Sequence, residues 1–557
     1  MRTRLQGLIG DALAKAARGG QLGELGPEGL PEPTIQAPRE DGHGDLATNL
    51  AMVLAKDARM APPRIAAALL ENIEDREGLI ESSEIAGPGF VNFTLSPKAW
   101  RERLAEILEA GTDFGRLAPA KRRRVHIEFV SANPTGPLHV GHGRGAATGD
   151  ALARVLEAAG HQVEREYYVN DAGRQMATLG ASLLAAYLGL CGREAESPED
   201  GYKGDYIAEL AAEFFDEAGH EWADRDEVVA LEFFSREGGR RLLAGIKRDL
   251  ESFGISFDTF TSERELRESG AVDEALAELR QGGHVFDEDG AVWFRSTAFG
   301  DDKDRPLIKS DAELTYFASD VAYHRDKLRR GHDLLVDVWG ADHHGYVKRV
   351  DSSLRALGAD ADAFAVVLVQ MVNLTRDGEP VRMGKRSGEF VSLAEVLEEV
   401  GPDLARFFFL MRRSDAQLDF DLELARRQTA ENPVYYVQYA HTRIAGIFRQ
   451  AGERGIETPG VDQQALSRLG NDAEISLIKT LDDFPAVVEA ASTAFEPHRI
   501  VFYVQRLAGE FHRFYAGNRC VSDDTELSGA RLLLAKAVKQ DLGAGLTMVG
   551  VSAPERM

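Results

Sequence analysis

Apolar residues recur at helical spacing from the start of the chain. Leu5, Leu8, Ile9, Ala12, Leu13 and Ala16, with Arg4, Asp11 and Lys15 between them, predict an amphipathic helix rather than a signal peptide. A stretch rich in proline and glycine, 26–38, interrupts the pattern. A second helix is expected over about 46–58, with Asp45 as its cap. Gly87-Pro88-Gly89 then punctuates before 90–95, which reads as a strand. The pattern changes at Lys121. Residues 125–130 read as a buried strand, 131–138 as a loop rich in proline and glycine, and the next helix ends at Gly160. A second strand follows at 161–169. Strand, helix and strand in this order predict a parallel sheet with a right-handed crossover. Strands at 334–339 and 363–369 extend it, and the region from about 180 to 300 reads as a mostly helical insertion. From Asn432 onward the pattern is helical, with Val434, Val437, Ile444, Ile447 and Phe448 on one face.

Composition changes this picture little. A length of 557 residues suggests three or four domains. A hydrophobic fraction of 44% and a charged fraction of 28% are ordinary for a soluble globular chain. The net charge of -26, from 65 basic and 91 acidic residues, argues against a nucleic-acid binder that is basic all over. It leaves local strips as candidates: Lys121-Arg122-Arg123-Arg124, 327–330, Arg412-Arg413 and Arg426-Arg427. Cys191 and Cys520 form no CxxC pair, which excludes a thiolate zinc site and fits a reducing cytoplasm. No uncharged apolar stretch approaches the ~20 residues of a membrane span, so no membrane partner is expected.

The chemistry concentrates in Asn133-Pro134-Thr135-Gly136-Pro137-Leu138-His139-Val140-Gly141-His142-Gly143, between the first strand and its helix. That is the carboxyl edge of a parallel sheet, where open α/β sheets bind ligands. His139 and His142 share a face of the first helical turn, Gly141 leaves a flat surface, and the helix N-terminus favours phosphate. Gly141, Gly143 and Ala146 also match a loose dinucleotide fingerprint, with Glu164 and Glu166 beyond. That fingerprint needs glycines directly after the strand, and here ten residues separate Val130 from Gly141. A metal site using His139, His142, His343 and His344 lacks an HExxH or a cysteine pair to support it.

The segment resembles the HIGH signature of class I aminoacyl-tRNA synthetases, written here His139-Val140-Gly141-His142. Its usual partner, a KMSKS loop, is matched by Arg382-Met383-Gly384-Lys385-Arg386, which departs at the first, third and fifth places but keeps Met383 and Lys385. The run from Glu128 to Gly145 is similar to the arginyl-tRNA synthetase form of the signature. So are Tyr167-Tyr168-Val169-Asn170-Asp171-Ala172-Gly173, Tyr316-Phe317-Ala318-Ser319-Asp320, Trp339-Gly340-Ala341-Asp342-His343-His344-Gly345-Tyr346, and Asn432-Pro433-Val434-Tyr435-Tyr436-Val437-Gln438-Tyr439-Ala440-His441.

The resemblance implies a Rossmann-like parallel-sheet catalytic domain with an N-terminal α/β module and a C-terminal all-α anticodon-binding domain. The expected bounds are 1–115 for an added tRNA-contacting domain, with Asp41-Gly42-His43-Gly44-Asp45 its most recognisable piece, and 116–375 for the catalytic domain. Residues 376–430 would carry the KMSKS-like loop and a connection, and 431–557 the helical domain. It implies an arginine–tRNA ligase that takes L-arginine, ATP and tRNA(Arg), with Mg²⁺ arriving with ATP and no structural metal, and a cytoplasmic monomer. His139, His142 and Lys385 would be catalytic, and Pro137, His139, Gly141, His142, Met383 and Lys385 would hold ATP. Glu128, Asn133, His139, Tyr316, Asp320 and His343, with its neighbour Asp342 as the alternative to His343, would hold arginine. Tyr435, Tyr436, Tyr439, Arg443 and Met557 would meet tRNA, with at least one of the tyrosines expected to pack the core instead. Two other functions remain as alternatives: a smaller-substrate nucleotidyltransferase with an HxGH-type site, which would leave the long helical segment unexplained, and a catalytically inactive tRNA-binding paralogue, against which His139, His142 and Lys385 argue.

Overall fold

A computed structural model describes residues 1–38, 42–381 and 391–557. The first helix, Arg2–Arg18, buries Leu5, Ile9, Ala12, Leu13 and Ala16 as its periodicity predicts. It packs near a four-stranded antiparallel sheet whose order is Ile35–Gln36, Leu46–Thr48, Phe90–Leu95 and Ile80–Ala86. This corrects the helix expected over 46–58. Leu46, Ala47 and Thr48 are all buried and pair with Phe93, Asn92 and Val91, so the helix runs only over Leu50–Ala58. Asp45 is not its cap. The Asp45 carboxylate accepts from the Leu95 amide at 2.8 Å and forms an ion pair with Lys479, far along the chain. A strand pairing partner outcompeted local helix propensity here, because three consecutive buried side chains suit a sheet with both faces covered.

The central sheet is five-stranded and parallel throughout, in the order Phe364–Val369, Leu334–Gly340, Arg124–Glu128, Gln162–Val169, Thr259–Ser262. The chain starts in the middle strand, builds outward to one side, then returns to build the other. The switch point therefore lies between Arg124–Glu128 and Leu334–Gly340, where such sheets open a crevice. The edge strand Thr259–Ser262 falls inside the stretch expected to be an insertion. Only the helices Arg174–Leu190, Asp205–Ala218 and Glu227–Ser252 form a separate packed unit, around Leu179, Leu183, Tyr187, Phe214 and Phe234. Four residues with no alternation were too short a run to read as a strand.

Helices from Pro433–Glu453 to Thr525–Met548 make the C-terminal bundle, with Asn432 capping the first through the amides of Val434 and Tyr435. One buried arginine joins it to the sheet domain. Arg406 donates to the Phe253 carbonyl at 2.9 Å and the Val549 carbonyl at 3.2 Å, and pairs with Asp150. Gly550 lies against it with φ +69, where an added Cβ would overlap the guanidinium, so both backbone and space demand glycine.

Of the basic strip proposed at 327–330, only Arg329 is exposed. Lys327 is fully buried between Glu128 and Asp337, and Arg330 pairs with Glu166 at 2.6 Å. The parallel register explains this: Asp337, Glu128 and Glu166 stand opposite one another in adjacent strands. Three neighbouring buried carboxylates require cations from the helix packed over them. No helix among the described residues is long and apolar enough to cross a membrane.

Candidate active site

A cleft of about 930 Å³ opens at the carboxyl ends of the strands on both sides of the switch point. The middle strand ends at Glu128, and the chain then passes through left-handed conformations at Val130 (φ 69) and Ser131 (φ 40). A β-branched residue rarely adopts such an angle, and strain of this kind gathers at functional sites. The turn lifts Ser131, Ala132 and Asn133 into the cleft wall. It is held by the Asn170 side chain, which donates to the Ser131 carbonyl at 3.1 Å, and by the Tyr168 amide, which donates to Ser131 Oγ.

At one end of the cleft stand His139, Gly141 and His142. His139 is the N-cap of helix Val140–Ala158. Its Nδ1 accepts from the Gly141 amide at 3.1 Å, and His142 Nδ1 accepts from the His139 amide at 3.2 Å. The rings stack 3.7 Å apart. Because each Nδ1 accepts, a neutral ring carries its proton on Nε2, so each imidazole is a donor from that edge. A Cβ at Gly141 would lie 2.9 Å from His139 Cε1, so glycine lets the His139 ring fold over the helix start. Pro137 is half-buried in the preceding turn and does not line the cleft. Met383 and Lys385, and Asp41 of the N-terminal module, lie outside the described residues. The chain that follows residues 382–390 resumes beside this end: the Leu393 amide donates to the Leu138 carbonyl at 2.7 Å, and Ser392 bridges to His139.

The other end is acidic. Tyr316, 70% exposed, begins helix Tyr316–Arg329 and lines the cleft with Trp339, Asp342 and His343. Asp320, one turn on, is half-buried, and its carboxylate accepts from the Tyr346 hydroxyl. Burial raises the Asp320 carboxyl above its ordinary value, against the Tyr346 hydrogen bond. Asn133 lies in the wall and donates to Gln175.

Glu128 does not face the cleft. It is buried beneath it, with one oxygen on Lys327 and the other accepting from Ser131 Oγ at 2.8 Å. Burial opposes the Lys327 charge, but Asp337 and Glu128 outweigh it and raise its pKa.

Besides the exposed Asp342, a second carboxylate lines the cleft, Glu263, which sequence reading missed. It is buried, and burial lifts its carboxyl above the usual range; Arg267 opposes the rise, while Asp320 and Asp171 add to it. The edge strand delivers it, since helix Glu263–Glu268 starts directly after Ser262, the residue that caps it. The available signal was Ser262-x-x-Glu265, a capping pattern that marks a helix start at Glu263. Tyr168 was quoted from sequence without a role. Its hydroxyl is buried with no hydrogen-bond partner among the described residues. After burial, the charges of Glu263, Asp320 and Glu128 are what raise its pKa.

In the helical bundle, Tyr435 and Tyr439 stack in parallel at 5.7 Å, and Arg443 lies 4.5 Å over Tyr439. Tyr436 packs on the hydrophobic core and against His512, at 4.5 Å. Met557 is exposed.

Three family models match the chain. Residues 3–95 match the arginyl-tRNA synthetase N-terminal domain, 103–416 the class I (R) tRNA synthetase catalytic domain, and 437–557 the DALR anticodon-binding domain. The chain belongs to the arginyl-tRNA synthetase family. It is 52% identical over 529 residues to the arginine–tRNA ligase of Citrifermentans bemidjiense, covering 95% of each chain. It is 49% identical over 557 residues to that of Syntrophotalea carbinolica, covering 100% of each. Its fold is that of the Thermus thermophilus arginyl-tRNA synthetase, with a TM-score of 0.77 at 24% identity and full coverage of both chains. The cleft is therefore the candidate catalytic centre of a class I synthetase, and the family's ligase activity applies to it.

Proposed function

We propose that this synthetase joins the L-arginine carboxylate to the α-phosphate of ATP at the switch-point cleft, releasing pyrophosphate, and then transfers arginine to the 3′-terminal adenosine of tRNA(Arg). The observation that carries this reading is one cleft with two unlike ends: donor imidazoles on a helix N-terminus, and Glu263 with Tyr316 opposite, Asp320 lying one helical turn behind Tyr316. Negative charge builds on the transferring phosphate and the leaving group. Preorganised donors that meet such charge stabilise the transition state. His139 and His142 supply them here, and Lys385 completes the set from the KMSKS-like loop, on the strength of the family resemblance.

At the far end, the guanidinium is a rigid planar fork of five donors. Glu263 and Asp320 are its acceptors, Tyr168 offers a further oxygen, and Tyr316 covers it. Glu128 acts one step back by holding Lys327. Mg²⁺ is proposed to arrive on the ATP phosphates, on the strength of the family resemblance. Tyr435, Tyr439 and Arg443 are proposed to stack with unpaired tRNA bases. A cytoplasmic monomer is the remaining expectation from family resemblance.

An amino-acid panel tests the reading. Pyrophosphate exchange is expected with arginine, only when tRNA is present, and not with lysine or citrulline. Strong exchange with lysine, or with arginine in the absence of tRNA, would count against it.

A further inference from the structure

Arg144 sits two residues beyond His142 in helix Val140–Ala158 and is fully buried. No carboxylate pairs with it among the described residues. Its guanidinium donates instead to backbone carbonyls: Gln370 at 2.9 Å, Ala416 at 2.8 Å and Arg413 at 2.9 Å. An apolar side chain would fill this space without the cost of burying a charge. What only arginine supplies is a planar fork of donors that fixes several acceptors at once.

The acceptors fall on two segments that meet behind the cleft. Gln370 and Met371 follow strand Phe364–Val369 and line the cleft wall. The Gln370 amide donates to the Ser414 carbonyl at 2.8 Å, so wall and loop are already joined, and Arg144 ties both to the signature helix. Gly143, next to it, is packed so closely that a Cβ would lie 2.7 Å from Leu393 Cδ1. The first turns of this helix therefore set the position of the chain on both sides of the second motif. Glu263 and Asp320, at the other end, share none of these contacts.

We propose that Arg144 is a positioning residue for ATP, holding the Gln370–Met371 wall at a set spacing from His139 and His142; the proposal rests on the assignment of that end of the cleft to ATP. Arg144→Met and Arg144→Lys test it in pyrophosphate exchange with tRNA present, beside His142→Ala and with thermal melts of each variant. Arg144→Met is expected to raise KM for ATP on the order of tenfold, as small misplacements in a site do, with KM for arginine changed less than about twofold. Arg144→Lys keeps a cation with fewer donors and should recover part of that rise. Equal increases in both KM values, a loss confined to kcat, or failure of both variants to fold would overturn the proposal and leave Arg144 a purely structural residue. If His142→Ala impairs ATP use and Arg144→Met does not, the inference alone fails. If His142→Ala leaves ATP kinetics unchanged, the site assignment fails, and the inference with it.

Discussion

At one end of the cleft two imidazoles, stacked and capped by backbone amides, border the opening; at the other, Glu263 and Asp342 do, with Asp320 half-buried on the Tyr346 hydroxyl one turn beyond Tyr316. Among the described residues the first end has no carboxylate in its wall, and its nearby cation, Arg144, is turned away onto carbonyls. The second end stands on a buried ionic layer, in which Glu128, Glu166 and Asp337 are matched by Lys327 and Arg330, with the His126 ring hydrogen-bonded to Glu166. On the proposed assignment, the contrast suits the two charges to be handled. A guanidinium keeps its charge at any working pH, so fixed carboxylates suit it. Charge on a transferring phosphate is largest in the transition state, so oriented donors are worth most there.

The largest effect expected from breaking this contrast is at Asp320. Asp320→Asn is isosteric, so folding should survive, but a desolvated cation would lose half of its match. Removing one partner of such a pair costs about 3–5 kcal/mol, or roughly 10²–10⁴ in kcat/KM for arginine. The gap between arginine and citrulline should narrow as well. A folded variant that charges arginine within about tenfold of the parent would transfer the role to Glu263.

Lys385→Ala probes the opposite end through a different parameter. It should lower kcat ~100–1,000-fold while moving KM for arginine little, because the lost donor meets charge that peaks in the transition state. A fall of less than about threefold would mean that the loop is not catalytic here.

The smallest effect separates the two ends by pH. Glu263 and Asp320 both have raised pKa values, and arginine needs them ionised. Arginine binding is therefore strongest above those raised values and weakens as the pH falls through them, already above the ordinary carboxylate range. Each required deprotonation changes KM by up to about tenfold per pH unit. The ratio of KM for arginine to KM for ATP should rise on acidification; a flat ratio from about pH 8 to pH 5 would contradict the assignment of the carboxylates.

Much of this was legible from residue order. The signature from Asn133 to Gly143, the strand–helix–strand unit around it and the C-terminal helices all lie where periodicity and turn residues put them. These features are local, decided by neighbours within a few positions. Asp45 was misread because its partners, Leu95 and Lys479, are remote in sequence. Glu263 was missed because a four-residue strand at the sheet edge has no pattern of its own until Gln162–Val169 is beside it.

The sequence by itself determined the family, the two motifs and the parallel sheet implied by the strand–helix–strand unit; the strand order came from the fold. Only the tertiary structure decided which acidic and basic residues serve the cleft. Glu128 and Glu263 are indistinguishable as letters. Register sets Glu128 between Asp337 and Glu166 and forces Lys327 beneath the cleft to neutralise it, while the strand end carries Glu263 into the wall. Arg144 is likewise an ordinary helix residue until folding brings the Gln370, Arg413 and Ala416 carbonyls around it. The reason is physical: what a charged side chain does depends on its burial and its partners, and both come from contacts between segments hundreds of residues apart.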